Sequence, residues 1–410
     1  MGELRSCGLL RHREARTLWV ASAFASAGMW LLQIATALFV LSVADASTLA
    51  VVQLCGALPG LFATPLAGWV ADRLPVRRVC LACQGVQVLA AIGMGVSALH
   101  GDLVSMALLF AVQSAAMAFW APTRQQWLYA VVEPDLRQRA NAALGSLNGA
   151  MVIVGALGAG VASALSASGG VFAAASLFGL CCAALVLLRE PGPALSSEDV
   201  RLRSTGHGFL SGLVAGFAAA RHYPLARSVI WIGIAWGFIG GGYTVMVSAR
   251  LLEDLRGPAM AVSWAFVLDG TAVLVATMMA GRLAPHRRLT VWGAAYVVQG
   301  LAWTAFFLVP DLATALVILA VMRFAGGFIV GLDTTILLET VPEGLRGRVM
   351  ALHITTYNTM ARLSLAALGL LLGAVSLQVL GTVAGIAAAL GGALWWAFAR
   401  SLRTEDSDRD

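Results

Sequence analysis

The sequence has little charge, and it contains no lysine at all. Only 12% of its 410 residues are charged, whereas 59% are hydrophobic, and the mean hydropathy is +0.83. A soluble domain of this length would need far more charge to cover its surface, since about 25% of the residues of an ordinary globular protein are charged. The composition therefore excludes a large soluble domain and predicts that lipid surrounds most of the chain.

Cysteine and histidine are scarce, with six of each, and they are scattered. Cys80 and Cys83 have CxxC spacing, but no second cysteine or histidine pair completes a zinc site. The other cysteines lie almost wholly in apolar runs, where we interpret them as small apolar side chains. No histidine-rich cluster and no HxxxxD-type acyltransferase set is present, which argues against a membrane-embedded enzyme. We expect neither a metal nor a cofactor.

The apolar residues form twelve runs of the length, about 20 residues, that a membrane-spanning helix requires. The predicted spans are approximately 17–43, 47–71, 79–99, 103–128, 141–166, 170–188, 228–249, 258–283, 289–309, 312–338, 348–374 and 378–399. Most of the outer connections between them are only two or three residues long, so neighbouring helices must run antiparallel. The fold class predicted from this pattern is an all-α integral membrane protein.

All 27 basic residues are arginine, and they are unevenly distributed among the predicted loops. Most lie in the two termini and in every second loop, while the opposite loops contain only Arg250 and Arg256. Because positively charged loops remain in the cytoplasm, this asymmetry predicts that both termini are cytoplasmic. It also accounts for the net charge of +6 without a nucleic-acid partner. The absence of lysine is a compositional hint of a GC-rich bacterial genome.

A polar segment and an internal repeat divide the chain into two halves. The sequence LRQRANA at 136–142, before the fifth span, is echoed 209 positions later by LRGRVMA at 345–351, before the eleventh span. A second echo, between 68–71 and 281–284, has the similar offset of 213. We predict two pseudo-symmetric six-helix halves related by an axis along the membrane normal. The predicted boundaries are 1–189 for the N-terminal half, 190–227 for a cytoplasmic linker, 228–400 for the C-terminal half and 401–410 for a cytoplasmic tail.

The connection between the second and third spans carries a recognisable motif, GWVADRLPVRR at 68–78. It resembles the major facilitator superfamily signature Gly-x-Leu-Ala-Asp-Arg-x-Gly-Arg-Arg/Lys-Arg, with a proline and a valine at two of the signature positions. The resemblance implies the twelve-helix major facilitator fold and a transporter. A glycine allows close helix approach, and an aspartate here can pair with a cytoplasmic arginine or cap a helix N-terminus. We therefore interpret Gly68, Asp72, Arg73 and Arg77 as a gating latch that holds one conformation.

Within that superfamily, the chain is similar to bacterial drug and secretion-effector exporters, the group that includes macrolide and siderophore efflux proteins. The stretches 121–142, 212–225 and 345–349 carry this resemblance. It implies a monomeric secondary transporter of the bacterial inner membrane that exports a small organic compound by alternating access, with protons as the coupling ion. Helix five lacks the proline of the antiporter pattern but keeps its glycines. The alternative is a lipid or lysophospholipid flippase of the same fold.

The predicted spans of the C-terminal half contain charges, each of which costs about 2.5–3.5 kcal/mol at the bilayer centre on insertion scales. Asp269 lies in the eighth span, Arg323 and Asp333 lie in the tenth, and Arg362 lies in the eleventh. Asp269 and the two arginines are at similar depth, which indicates either a structural ion pair or a carboxylate that exchanges protons. Asp269 is the first coupling candidate and Asp333 the second. We interpret His353 as a core histidine. Buried charge also argues against a non-transporting receptor.

Several polar and aromatic side chains within the spans are candidates for a substrate cavity. They are Trp30, Gln33, Gln113, Trp120, Trp236 and Tyr243. Aromatic rings would suit an apolar substrate, although tryptophan and tyrosine are equally typical of interfacial anchors. The sequence does not identify the substrate.

Overall fold

The computed structural model describes residues 13–133, 136–189, 216–218 and 220–407, and for some residues in these ranges, Gly68 and Asp72 among them, it describes only the backbone. The elements in chain order are α1 (Arg13–Val43), α2 (Ala46–Arg73), α3 (Val76–His100), α4 (Leu103–Val131), α5 (Arg137–Leu165), α6 (Gly169–Val186), α7 (Pro224–Gly240), α8 (Tyr243–Ala249), a π-helical turn (Arg250–Asp254), α9 (Ala259–Ala280), α10 (Pro285–Leu308), α11 (Leu312–Thr340), α12 (Glu343–Leu371) and α13 (Leu377–Ser407).

These elements confirm the predicted all-α architecture, and the described residues contain no strand. Helices α7 and α8 and the π-helical turn together form the seventh span. The eighth to twelfth spans are therefore helices α9 to α13. Ten segments of the described chain are long and apolar enough to cross a membrane. Helices α2 and α12, with 28 and 29 residues, complete the twelve. At about 1.5 Å per residue each is long enough to span a bilayer.

The seventh span differs from its predicted limits at both ends. It begins at Pro224 rather than at residue 228, because proline is favoured in the first turn of a helix. It continues through the π-helical turn to Asp254, so Arg250 is not a loop residue. Arg250 is buried and forms an ion pair with Asp254 at 2.9 Å. It also donates a hydrogen bond to the carbonyl of Val309 at 2.7 Å, which joins the end of this span to the end of α10.

The described residues form two compact units. The first comprises those of Met1–Ala44 and Val52–Gly206, and the second those of Asp45–Val51 and His207–Asp410. In the first unit α1 packs against α5 and α6, and α3 packs against α4 and α6. The fully buried Trp120 and Trp127 lie there in an apolar cluster with Cys80, Cys83 and Cys181. These cysteines are therefore core side chains, as predicted. In the second unit α10 packs against α11 and α13, α9 against α11, and α7 against α12.

Three of the short connections end in acidic residues that cap the helices that follow. Asp102 accepts hydrogen bonds from the backbone N–H groups of Val104 and Ser105 at the start of α4. Asp45 caps α2 and Asp311 caps α11 in the same way. Hydrogen bonds from Thr48 lower the pKa of Asp45, because they stabilise the carboxylate form. Such caps fix where each helix begins and so keep the connections short.

Two glycines, Gly237 within α7 and Gly241 directly after it, bring this span into backbone contact with α12. A Cβ atom at Gly237 would lie 2.5 Å from the carbonyl oxygen of Tyr357, and one at Gly241 would lie 2.0 Å from that of Ala361. Both partners lie 120 positions further along the chain, so the two helices run in the same direction. Small residues allow membrane helices to approach this closely. This glycine seam fixes the rotation of α12 relative to α7.

The sequence repeat has a structural counterpart in each unit. Arg137 donates to the carbonyl of Tyr129 at 2.9 Å, and Arg346 donates to that of Leu338 at 2.9 Å. Each arginine thus reaches back eight residues to the last turns of the preceding helix, where carbonyl groups lack helical partners. The repeat therefore encodes a link between two consecutive helices.

We expect Arg346→Gln to lower the free energy of unfolding by about 1.5 kcal/mol, the low end for hydrogen bonds that involve a charged group. The low end applies because the Arg346 side chain is 41% exposed. Unfolding of the purified protein by dodecyl sulfate in a mild detergent measures the change. Arg348→Gln is the matched control, since Arg348 is exposed and carries the same charge. Equal losses in the two variants would contradict a specific capping role for Arg346.

Candidate functional site

The charged centre of the second unit is an ion pair between α9 and α11. The Oδ1 atom of Asp269 accepts a hydrogen bond from Nε of Arg323 at 2.5 Å. Its Oδ2 atom accepts one from the hydroxyl of Tyr243 at 2.9 Å. The guanidinium of Arg323 also lies over the ring of Tyr243, 4.8 Å from its centre. Both carboxylate oxygens of Asp269, which is only 7% exposed, therefore have donors.

Of the two arginines at the depth of Asp269, Arg323 forms the pair. Arg362 instead donates to the carbonyl of Asn358, one turn earlier on its own helix α12, at 3.0 Å. The two arginines have similar predicted depths in the membrane, so the sequence could not show which of them pairs with Asp269. The rotation of each helix about its axis decides which arginine meets the carboxylate.

The second coupling candidate, Asp333, also has a partner. Its Oδ2 atom lies 2.7 Å from Nε2 of His353, so α11 and α12 are joined by a hydrogen-bonded pair of titratable side chains. His353 is buried, as expected of a core histidine, but its ring contacts a coupling candidate rather than apolar neighbours alone. The sequence offered no signal for this contact, because the two residues are 20 positions apart on different helices.

A cavity of about 200 Å³ opens beside the Asp269–Arg323 pair within the second unit. Its walls include Trp236, Tyr243, Gln299, Trp303, Arg323 and Tyr357. Ligand pockets are commonly about 300–1,000 Å³, so this space fits a ring system or a fragment of a larger molecule.

Two of the predicted cavity residues, Trp236 and Tyr243, border this cavity together. The ring of Tyr243 lies 5.8 Å from that of Trp303, and Trp236 meets Tyr296 edge-on at 4.8 Å. Gln299 and Trp303 were not among the cavity residues predicted from the sequence. A signal was present, since positions 292, 296, 299 and 303 form an aromatic and amide stripe at helical spacing on α10.

The other cavity candidates lie in the first unit. Trp120 is fully buried in the apolar core, where a ligand could reach it only after rearrangement. Gln113 is 4% exposed, and its Nε2 atom is buried without a hydrogen-bond partner among the described residues. Trp30 and Gln33 are partly exposed on α1. A Cβ atom at Gly155 would lie 2.7 Å from that of Trp30, so Trp30 packs directly on α5.

The structure describes part of the predicted latch. Only the backbone of Gly68 and Asp72 is described, and Arg73 is exposed. Arg77 donates to the carbonyls of Leu188 at 2.7 Å and Val186 at 3.1 Å. Its positive charge therefore stabilises the C-terminal end of α6, where the helix dipole favours a cation. The latch as a whole stays a prediction.

No group of three or more potential metal ligands occurs among the described residues.

This chain is similar to known proteins both in sequence and in fold. The sequence profile of the Major Facilitator Superfamily matches residues 18–363. The multidrug efflux pump Tap of Mycolicibacterium fortuitum is 27% identical over 326 residues, covering 75% of this chain and 76% of that protein. The pump of the same name in Mycobacterium tuberculosis is 25% identical over 333 residues, covering 78% of each.

Solved transporters have the same fold at much lower identity. A POT family transporter in complex with 5-aminolevulinic acid superimposes with a TM-score of 0.71 at 12% identity, covering 94% of this chain and 96% of that one. The nucleoside transporter NupG gives a TM-score of 0.67 at 13% identity, covering 93% and 98%. Identities this low show the fold alone. Together with the match along most of the sequence, they establish that the chain belongs to the major facilitator superfamily and is a multi-pass membrane transporter rather than an enzyme.

Proposed function

We propose that this protein exports a small organic compound, of the drug, antibiotic or siderophore class, across the inner membrane of a bacterium. The observation that carries the proposal is the similarity to multidrug efflux pumps along three quarters of the chain. The cavity of the second unit supports it, because its aromatic walls suit apolar and planar compounds. Transport would proceed by alternating access in a monomer, with a proton moving in the opposite direction.

The cavity can bind such compounds in two ways. Trp236, Tyr243 and Trp303 offer ring faces and edges for stacking. The Asp269–Arg323 pair places two opposite charges in contact, so the cavity wall carries no net charge from this pair. Neutral and cationic aromatic compounds are therefore both compatible with it, since a cation can also bind over an aromatic ring.

The topology belongs to the same proposal. Both termini and the linker at 190–227 would be cytoplasmic, with the membrane halves at 1–189 and 228–400. The latch formed by Gly68, Asp72, Arg73 and Arg77 would then be on the cytoplasmic side. The arginine asymmetry of the loops supports this orientation.

A binding screen followed by a transport assay tests the function. We expect an antibiotic, a siderophore or the planar cation ethidium to raise the melting temperature of the purified protein, because a ligand of the native state stabilises it. The active compounds should then accumulate in everted vesicles that contain the protein when the vesicle interior is acidic. Vesicles without the protein are the control.

A different set of outcomes would favour the lysophospholipid flippase. In that case lysophospholipids alone would raise the melting temperature, and a fluorescent lysophospholipid would change leaflet in proteoliposomes. Stabilisation by none of these classes, together with no transport, would contradict export of such compounds.

A further inference from the structure

The two coupling candidates, Asp269 and Asp333, whose side chains are 11% and 22% exposed, differ in how completely they are hydrogen-bonded. Both oxygens of Asp269 accept hydrogen bonds from donors, one of them a permanently charged guanidinium. Protonation of Asp269 would break an ion pair and leave the charge of Arg323, whose side chain is 22% exposed, without its partner. Asp333 has a partner on one oxygen only, and its Oδ1 atom is buried without any partner among the described residues. Of the two carboxylates, Asp333 therefore belongs to the pair that can change its proton content at lower cost.

The partner of Asp333 is a side chain that readily changes its charge. Histidine is the amino acid whose unperturbed side-chain pKa lies closest to neutral pH. The Nδ1 atom of His353 is buried and has no hydrogen-bond partner among the described residues, so Asp333 is the polar group that its ring contacts. A Cβ atom at Gly233 would lie 2.5 Å from Cε1 of this ring. Helix α7 thus leaves the imidazole just enough room and presents no titratable group at that point.

The other ionisable groups around the pair come from α10, α11 and α12. Tyr296 on α10 and Tyr357 on α12 interact electrostatically with Asp333. Tyr357 also interacts with Arg323 on α11. Tyr357 lines the cavity and lies one helical turn beyond His353, so a ligand in the cavity would be about one turn of helix from the pair.

We propose that the Asp333–His353 pair, rather than the Asp269–Arg323 pair, takes up and releases the proton exchanged for the transported compound. The proton-loaded pair is an imidazolium beside a carboxylate, with no net charge. Release of one proton to water leaves a neutral imidazole that donates its Nε2–H to the carboxylate, with a net charge of −1. A cation in the cavity would stabilise that anionic form, while the loaded form would offer the cation no such charge. This difference makes proton release and cation binding mutually favourable, as antiport requires.

This inference rests on the proposed function for its role in transport, but the proton site can be tested without any transported compound. The protein would be labelled at its six histidines, reconstituted in nanodiscs and titrated by nuclear magnetic resonance. The signal of His353 is the one missing in His353→Gln. We expect this signal to change with pH in the wild type, and its midpoint to be different in Asp333→Asn, because that variant removes the carboxylate that contacts the ring. Asp269→Asn should leave the midpoint within a few tenths of a unit.

A packing variant provides a second, independent measurement that keeps both titrating groups. In Gly233→Ala the new methyl group must displace the imidazole, so the midpoint of His353 should shift. Gly391→Ala on α13 is the matched control, because nothing lies within 4 Å of a Cβ atom there. If the His353 signal does not titrate between about pH 5 and 8, or if Asp269→Asn shifts it as much as Asp333→Asn does, the proposal is overturned.

Measurements of ethidium flux in proteoliposomes distinguish a failure of the proton-site assignment from a failure of the proposed export function. The wild type should accumulate ethidium against its gradient when a pH gradient is applied, and Asp333→Asn and His353→Gln should lose this accumulation but keep downhill equilibration. Full gradient-driven accumulation in both variants would overturn the coupling assignment. If the wild type moves no ethidium at all while His353 titrates as expected, the proton site stands and export of this cation fails.

Discussion

Replacing Arg323 with glutamine should lower the free energy of unfolding by about 3 kcal/mol, the low end of the usual cost of removing one partner of a buried ion pair, because the Arg323 side chain is 22% exposed. The loss arises because Asp269 is 7% exposed and would keep only the hydroxyl of Tyr243 as a donor. Thermal denaturation monitored by size-exclusion chromatography measures the remaining folded fraction. Arg362→Gln is the matched control, since it removes an arginine of similar depth whose Nη1 atom bonds its own helix.

A double variant determines how much of that loss comes from the unpaired carboxylate. In Asp269→Asn/Arg323→Gln both charges are gone, so we expect most of the lost stability to return. The coupling energy obtained from the four proteins isolates the ion pair from other effects of each substitution. If Arg323→Gln loses no more stability than Arg362→Gln, then Asp269 and Arg323 do not form the buried pair that the structure shows.

The second large effect is expected from a single methyl group on the glycine seam. Gly241→Ala should reduce the yield of folded protein strongly, because the new Cβ atom would lie 2.0 Å from the carbonyl oxygen of Ala361. Overpacking usually costs about 1–3 kcal/mol, and we expect at least the upper end of that range because a backbone atom cannot move aside as a side chain can. The yield is measured by fluorescence-detected size-exclusion chromatography of each variant fused to a fluorescent protein.

The adjacent residue supplies a matched control for this substitution. A Cβ atom at Gly240 would meet nothing within 4 Å, so Gly240→Ala should be tolerated or mildly stabilising. The two variants carry the same chemical change at neighbouring positions of one span. Equal yields would mean that α7 and α12 do not approach each other as closely as described.

The sequence predicted the fold because the bilayer limits what a chain can do. A spanning segment must be helical and about 20 residues long to satisfy its backbone in lipid, so the length and apolar character of the runs indicated the spans. The family resemblance at residues 68–78 agreed with the profile match along 18–363. Local limits were less accurate at the seventh span, where hydropathy could not reveal that Arg250 lies in a buried π-helical turn.

The sequence by itself determined which side chains are costly in the membrane, because a charge within an apolar run must be paired or functional wherever its helix packs. Only the tertiary structure decided their partners. Arg323 and Arg362 lie at similar depth, yet Arg323 binds Asp269, and His353 reaches Asp333 from another helix. The reason is that hydropathy gives the depth of a residue but not the rotation of its helix. That rotation follows from contacts between helices, such as the glycine seam of α7 and α12, where the absence of a side chain lets the two backbones touch.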